Sequence, residues 1–108
     1  MPLSMNPYDK ENSRPNFWLS CILLNEDCSI EPEELRLFLD QYNVEARPIW
    51  KPMHLQPVFR DRDFVTAEDG QDVGREIFQR GLCLPSDIKM TKEVQDEVIE
   101  MVRVFVKG

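Results

Sequence analysis

The residue types able to do chemistry concentrate in eleven positions, RPIWKPMHLQP, from Arg47 to Pro57. They include two cations, a Trp, the only His and three prolines. Imidazole titrates near neutral pH, so a general base supplied by this chain would be His54. Its neighbours Met53 and Leu55 carry no acid to orient it, and a structural role competes with the catalytic one. Lys51 has the amine that a Schiff base needs, but an activated lysine requires a desolvated pocket or a cationic neighbour, which the local sequence does not supply. Arg47 either pairs with Glu45 on the surface or clamps a carboxylate or phosphate. Trp50 either packs at the end of a strand or offers a flat wall to a planar ligand. The acidic run NED…EPEE reads as a solvated helix start. No Ser-His-Asp spacing, glycine-rich phosphate loop or HExxH motif is present, so no residue is assigned as catalytic, cofactor-binding or metal-ligating.

These side chains need a frame, and the pattern around them outlines one. Pro48, Pro52 and Pro57 each remove a backbone donor and push the preceding residue toward extended geometry, so the stretch reads as a stiff loop. FWLSCILL (Phe17 to Leu24) is almost continuously apolar and predicts a strand buried on both faces. Pro32 suits the first position of a helix, with Glu31, Glu33 and Glu34 at the positive end of its dipole. Leu35, Phe38, Leu39 and Tyr42 follow as one apolar stripe, and Asn43 suits a left-handed stop. Val44 to Trp50 predicts a second strand, confined to a sheet edge by Pro48.

A second helix is expected from about Gln71 to Arg80, capped by Asp69 or Thr66, with Val73, Ile77 and Phe78 turned inward. Gly81 then stands where a helix end favours a positive φ. Leu82 to Pro85 predicts a third strand. Thr91 caps a last helix whose apolar stripe is Val94, Val98, Met101, Val102 and Phe105, with Lys107 at the negative end of its dipole. The expected fold is α+β, a small three-stranded sheet with helices packed on it. Residues 1–16 read as an irregular lead-in and residues 17–108 as the folded unit.

Composition narrows the function classes. The length of 108 residues suits one domain, with 42% apolar and 31% charged residues. A net charge of −7 argues against nucleic acid, which needs clustered Lys and Arg. Cys21, Cys28 and Cys83 are odd in number and form no CxxC pair, so they read as reduced thiols of a cytoplasmic protein and not as a disulfide framework or zinc site. No run approaches a membrane span, and no signal peptide opens the chain.

The blocks NVEARPIWKPMHLQPVF (Asn43 to Phe59) and IFQRGLCLPSD (Ile77 to Asp87), with FWLSCILL ahead of them, resemble the C-terminal domain of the DegT–DnrJ–StrS sugar aminotransferases. The resemblance runs from about Asn12 to Val106. It implies the small domain of the aspartate aminotransferase (type I) fold. It further implies a pyridoxal-phosphate enzyme that moves an amino group from glutamate to a nucleotide-linked keto sugar, in amino-sugar or cell-surface polysaccharide biosynthesis. Such parents are homo-oligomers, and their large domain carries the Schiff-base Lys, the Asp facing the pyridine nitrogen and most phosphate contacts. None of these is expected here, and Lys51 does not correspond to the cofactor Lys. By the same resemblance the stiff loop borders the nucleotide-sugar pocket, and Arg47, Trp50, Lys51, Met53 and His54 lie on the substrate side. Two positions depart from the pattern: Phe17 stands where many relatives have Arg, and Asp87 where Gly is common. The competing reading is a stand-alone α+β module that binds a ligand or protein without catalysis.

Overall fold

The computed structural model describes residues 2–107. Among them, four strands and three helices follow in the order β1 (Leu3–Met5), β2 (Ser20–Leu24), α1 (Pro32–Asp40), β3 (Arg47–Pro48), α2 (Val73–Arg80), β4 (Gly81–Leu84) and α3 (Lys92–Lys107). The strands form one antiparallel sheet in the order β1-β2-β4-β3. The architecture is α+β as expected, with four strands where three were expected. The additional strand, β1, lies inside the stretch read as irregular. Only Leu3 of its three residues packs against the core, so there is no alternation for a sequence pattern to show. Pairing is carried by the backbone, continued by the Asn25 N–H donating to the Pro2 carbonyl at 2.8 Å.

β2 and β4 are the central pair. Ile22, Leu24 and Leu82 turn one face of this pair toward Leu35 and Leu39 of α1 and Val102 and Val106 of α3. Phe38 and Phe105 stack across the two helices with ring centroids 4.5 Å apart. Leu35 and Leu39 are fully buried, each contributing about 1.5–3 kcal/mol by leaving water. The start of α1 is closed by the Glu34 carboxylate, which accepts the Glu31 N–H at 2.7 Å. Asn43 takes the left-handed conformation expected of a helix stop, with φ of 63°. The Thr91 hydroxyl accepts the Val94 N–H at the start of α3.

Four expectations are corrected. The strand begins at Ser20, and Phe17 and Trp18 are exposed, because Phe17 takes a positive φ of 53° that breaks the extended run. The cap of α2 is Asp72, whose carboxylate accepts the Arg75 N–H at 3.0 Å, in place of Asp69 or Thr66. Val73 and Ile77 of that helix are exposed. Gly81 is extended, with φ of −101°, and its small size serves a different end. An added Cβ would lie 2.5 Å from both the Ile49 side chain and the Ile77 carbonyl oxygen, so close approach and not left-handed backbone excludes a side chain there. Pro48 does sit on an edge strand.

Removing the buried stem of α1 tests this packing. Leu39→Ala should cost about 2–5 kcal/mol, whereas Val104→Ala, at a position 59% exposed, should stay within about 0.5 kcal/mol. Equal melting shifts for the two variants would contradict the assigned helix faces.

Candidate functional site

After β3 the prolines set the path of the chain. Two single 3-10 turns, Met53–Leu55 and Pro57–Phe59, are closed by the Leu55 N–H on the Pro52 carbonyl and the Phe59 N–H on the Gln56 carbonyl. The Gln56 amide donates back to the Lys51 carbonyl at 3.3 Å. The loop is therefore internally braced. Lys51 and Met53 are exposed on it.

His54 is oriented by an acid after all, one that lies 18 positions downstream. Its Nε2–H donates to Asp72 Oδ2 at 2.7 Å, and its ring stacks on Phe64 with centroids 3.6 Å apart and planes 10° from parallel. The side chains of His54 and Asp72 are 18% and 21% exposed. Asp72 thus serves two segments at once: one oxygen caps α2, and the other holds the loop. Arg75 Nε lies 3.4 Å from the second oxygen. Partial burial raises the Asp72 carboxyl, but hydrogen bonds from His54 and the Arg75 N–H, with the charges of both groups, outweigh it and hold the carboxyl below its ordinary range. A search for acids beside His54 in sequence misses this partner. The available signal was a helix-capping acid just ahead of Val73.

Arg47 and Trp50 face a different space, a groove of about 750 Å³. One wall is aromatic, with Trp18 and Trp50 rings 5.9 Å apart and tilted by 36°. Trp18 is aimed there by a tight turn in which Asn16 Oδ1 accepts the Trp18 N–H at 3.1 Å. The second wall is the β3 edge, Arg47 and Pro48, and the third is Met90 in the turn ahead of α3 with Val94 and Val98 of its first half. Ser86 closes one end, where its hydroxyl accepts the Ser20 N–H at 2.7 Å and donates to the Leu84 carbonyl. Trp50 is a candidate by its residue type and setting, whereas Trp18, which falls in the apolar run expected as a buried strand, is exposed and lines the groove.

The charge at the groove is unfavourable for an anion held by this chain alone. Arg47 is the lining cation, set against two lining carboxylates, Glu45 and Asp87, and Glu45 already engages Arg47 Nη2 at 2.8 Å. Lysine does not occur among the lining residues. The structure therefore splits the five sequence candidates. Arg47 and Trp50 share the groove, while Lys51, Met53 and His54 lie on the braced loop outside its lining. Among the described residues no cluster of three or more potential metal ligands occurs, and no helix is long and apolar enough to cross a membrane.

A family profile described as the DegT/DnrJ/EryC1/StrS aminotransferase family matches residues 2–103. The chain belongs to this family. It is 42% identical over 86 residues to a Bacillus subtilis (strain 168) protein bearing the name pyridoxal phosphate-dependent aminotransferase EpsN, covering 80% of this chain and 22% of the relative. It is 28% identical over 93 residues to a GDP-perosamine synthase of Caulobacter vibrioides, covering 86% of this chain and 24% of that one. Among solved structures, the aminotransferase TlmJ from Streptoalloteichus hindustanus shares the fold over 95% of this chain and 26% of its own, with a TM-score of 0.72 at 16% identity. A DegT DnrJ EryC1 StrS aminotransferase from Brucella abortus aligns with a TM-score of 0.65 at 23% identity, covering 83% of this chain and 22% of its own. The chain thus spans about a quarter of the length of the family members it matches.

The Asp72 geometry yields a pH prediction. A carboxyl whose folded value lies below its ordinary 3.8 stabilises the fold above that pH and loses its contribution as pH falls through the folded value. Asp72→Asn should melt below wild type at pH 7, and its melting temperature should fall less steeply than that of wild type below about pH 4. Parallel profiles across that range would show that the Asp72 contacts contribute nothing to acid stability.

Proposed function

We propose that this chain acts as the C-terminal small domain of a pyridoxal-phosphate-dependent aminotransferase that transfers an amino group from glutamate to a nucleotide-linked keto sugar, and that it is not competent alone. The observation that carries this reading is the incomplete site. The family match takes in nearly the whole chain, yet the groove has an aromatic wall, a single paired cation and no lysine. The residues of this chain do not fit pyridoxal phosphate by themselves, because an imine needs an amine in the groove and a phosphate needs more positive charge than Arg47 supplies. In this reading a large domain brings the cofactor and the missing cations.

The chain's own contribution is to the substrate. Trp18 and Trp50 offer apolar faces for a base or sugar, and Arg47, released from Glu45, meets a phosphate or carboxylate. His54 holds the loop by its tie to Asp72, and in this reading that loop presents Lys51 and Met53 to the nucleotide sugar. Prolines keep this loop in one shape, which reduces the ordering cost of binding. Partners in this reading are the large domain, the nucleotide sugar and a second copy of the enzyme.

The test uses the complete enzyme in which this chain is joined to a large domain. A charge-assisted contact to phosphate contributes about 1.5–3 kcal/mol, so Arg47→Ala should raise the nucleotide-sugar Kd roughly ten- to a hundredfold and leave the cofactor absorbance unchanged. His54→Ala should lower both affinity and melting temperature. Unchanged affinity in Arg47→Ala, Lys51→Ala and His54→Ala alike would remove the loop from the substrate side.

A further inference from the structure

Cys21 of β2 and Cys83 of β4 are directly opposed in the antiparallel register. They alternate with Ile22 and Leu82, so both side chains turn away from the face that carries the core. Their sulfurs stand 3.5 Å apart. Directly opposed antiparallel residues have Cα atoms roughly 4.5–5.5 Å apart, inside the window of about 4.4–6.8 Å that a disulfide spans. Bond formation needs the sulfurs to close from 3.5 Å to about 2 Å, which small side-chain rotations supply. Cys83 also lines the groove and is paired in register with Arg47.

We propose that Cys21 and Cys83 form a reversible dithiol, closing to a cross-strand disulfide when the protein meets a hydroperoxide. The two thiols have different parts. Cys21 is half-buried and Cys83 buried; burial, with the Cys21 thiol beside it, pushes Cys83 up to about 11, which makes Cys83 a poor first nucleophile. The more accessible Cys21 therefore attacks the peroxide. An S–O bond forms, the O–O bond breaks, and water or an alcohol leaves, with Cys21 as the sulfenic acid. Cys83 sulfur then attacks Cys21 sulfur. The S–S bond forms, the S–O bond breaks, and the Cys83 proton departs with the hydroxyl as water. Two thiols lose two electrons in all, and the peroxide is reduced. Cys28 lies in the turn after β2, packed against the core, and takes no part.

The inference is independent of the aminotransferase reading and is tested on the chain itself. The folded protein is exposed to hydrogen peroxide, quenched, denatured, alkylated and weighed. Of the three cysteines, Cys28 alone should accept the alkylating agent. The remaining mass should be about 2 Da below that of the dithiol, and a digest should yield a linked Cys21–Cys83 peptide that dithiothreitol separates. The linked protein should melt at least about 5 °C higher than the reduced one, because the bond closes a long loop. Cys28→Ser should still close, and Cys21→Ser should not. Should Cys21→Ser fail to fold, closure in Cys28→Ser decides the matter alone. Oxygen addition at Cys21 without a link, a link that includes Cys28, or three free thiols after treatment would each overturn the proposal.

Discussion

The antiparallel β2–β4 pair is the constraint on which the rest of the structure depends. Register here is set by burial: Ile22, Leu24 and Leu82 must all face Leu35, Leu39, Val102 and Val106, and a one-residue slip would turn them to the opposite face. Once that register holds, Cys21 stands opposite Cys83, and β3 can add only along the free side of β4. That addition puts Arg47 and Pro48 at the sheet edge, beside the tryptophan pair. The groove is therefore a consequence of how the central strands pair.

A second fixed point, Asp72, joins the loop to the sheet indirectly. By capping α2 and accepting from His54, it ties a proline-braced segment to a helix that runs directly into β4 at Gly81. The tight contact between Gly81 and Ile49 fixes the other end of the same segment. Trp50 is thus held between two anchors, and Arg47 lies just ahead of the first of them, in β3. This rigidity fits a surface that presents side chains to a ligand held mainly by something else. The one cation and two carboxylates of the groove lining fit that division of labour, since an isolated phosphate site would carry an excess of positive charge.

Much of the fold was legible because periodicity reports burial. The Leu35–Leu39 stripe, the Asn43 stop, the edge position of Pro48 and the α3 face through Val98 and Val102 each follow from a local rule. β1 was not legible, since its pairing uses backbone groups and only one apolar side chain. Helix α2 was misread at its cap and its apolar face, because its packing is slight and two upstream residues resemble caps as well as Asp72 does. At the candidate site, Arg47 and Trp50 were visible as residue types. The His54–Asp72 contact and the approach of Trp18 to Trp50 were not, because they depend on segments brought together by the fold. Family resemblance in the loop and in the RGLCLPS block pointed to the aminotransferases, where residue chemistry alone left a module of open function.

The central claim is that this chain is one part of a divided catalytic site. The most direct measurement is amino transfer from glutamate to nucleotide-linked keto sugars with pyridoxal phosphate present. It compares the chain alone with a chimera in which the chain replaces the corresponding segment of the Bacillus subtilis relative. Native relative serves as the positive control for substrate choice. The account predicts no turnover and no borohydride-reducible lysine adduct for the chain alone, and turnover by the chimera. Turnover by the chain alone, or a folded, cofactor-loaded chimera inert toward nucleotide-linked keto sugars, would contradict it.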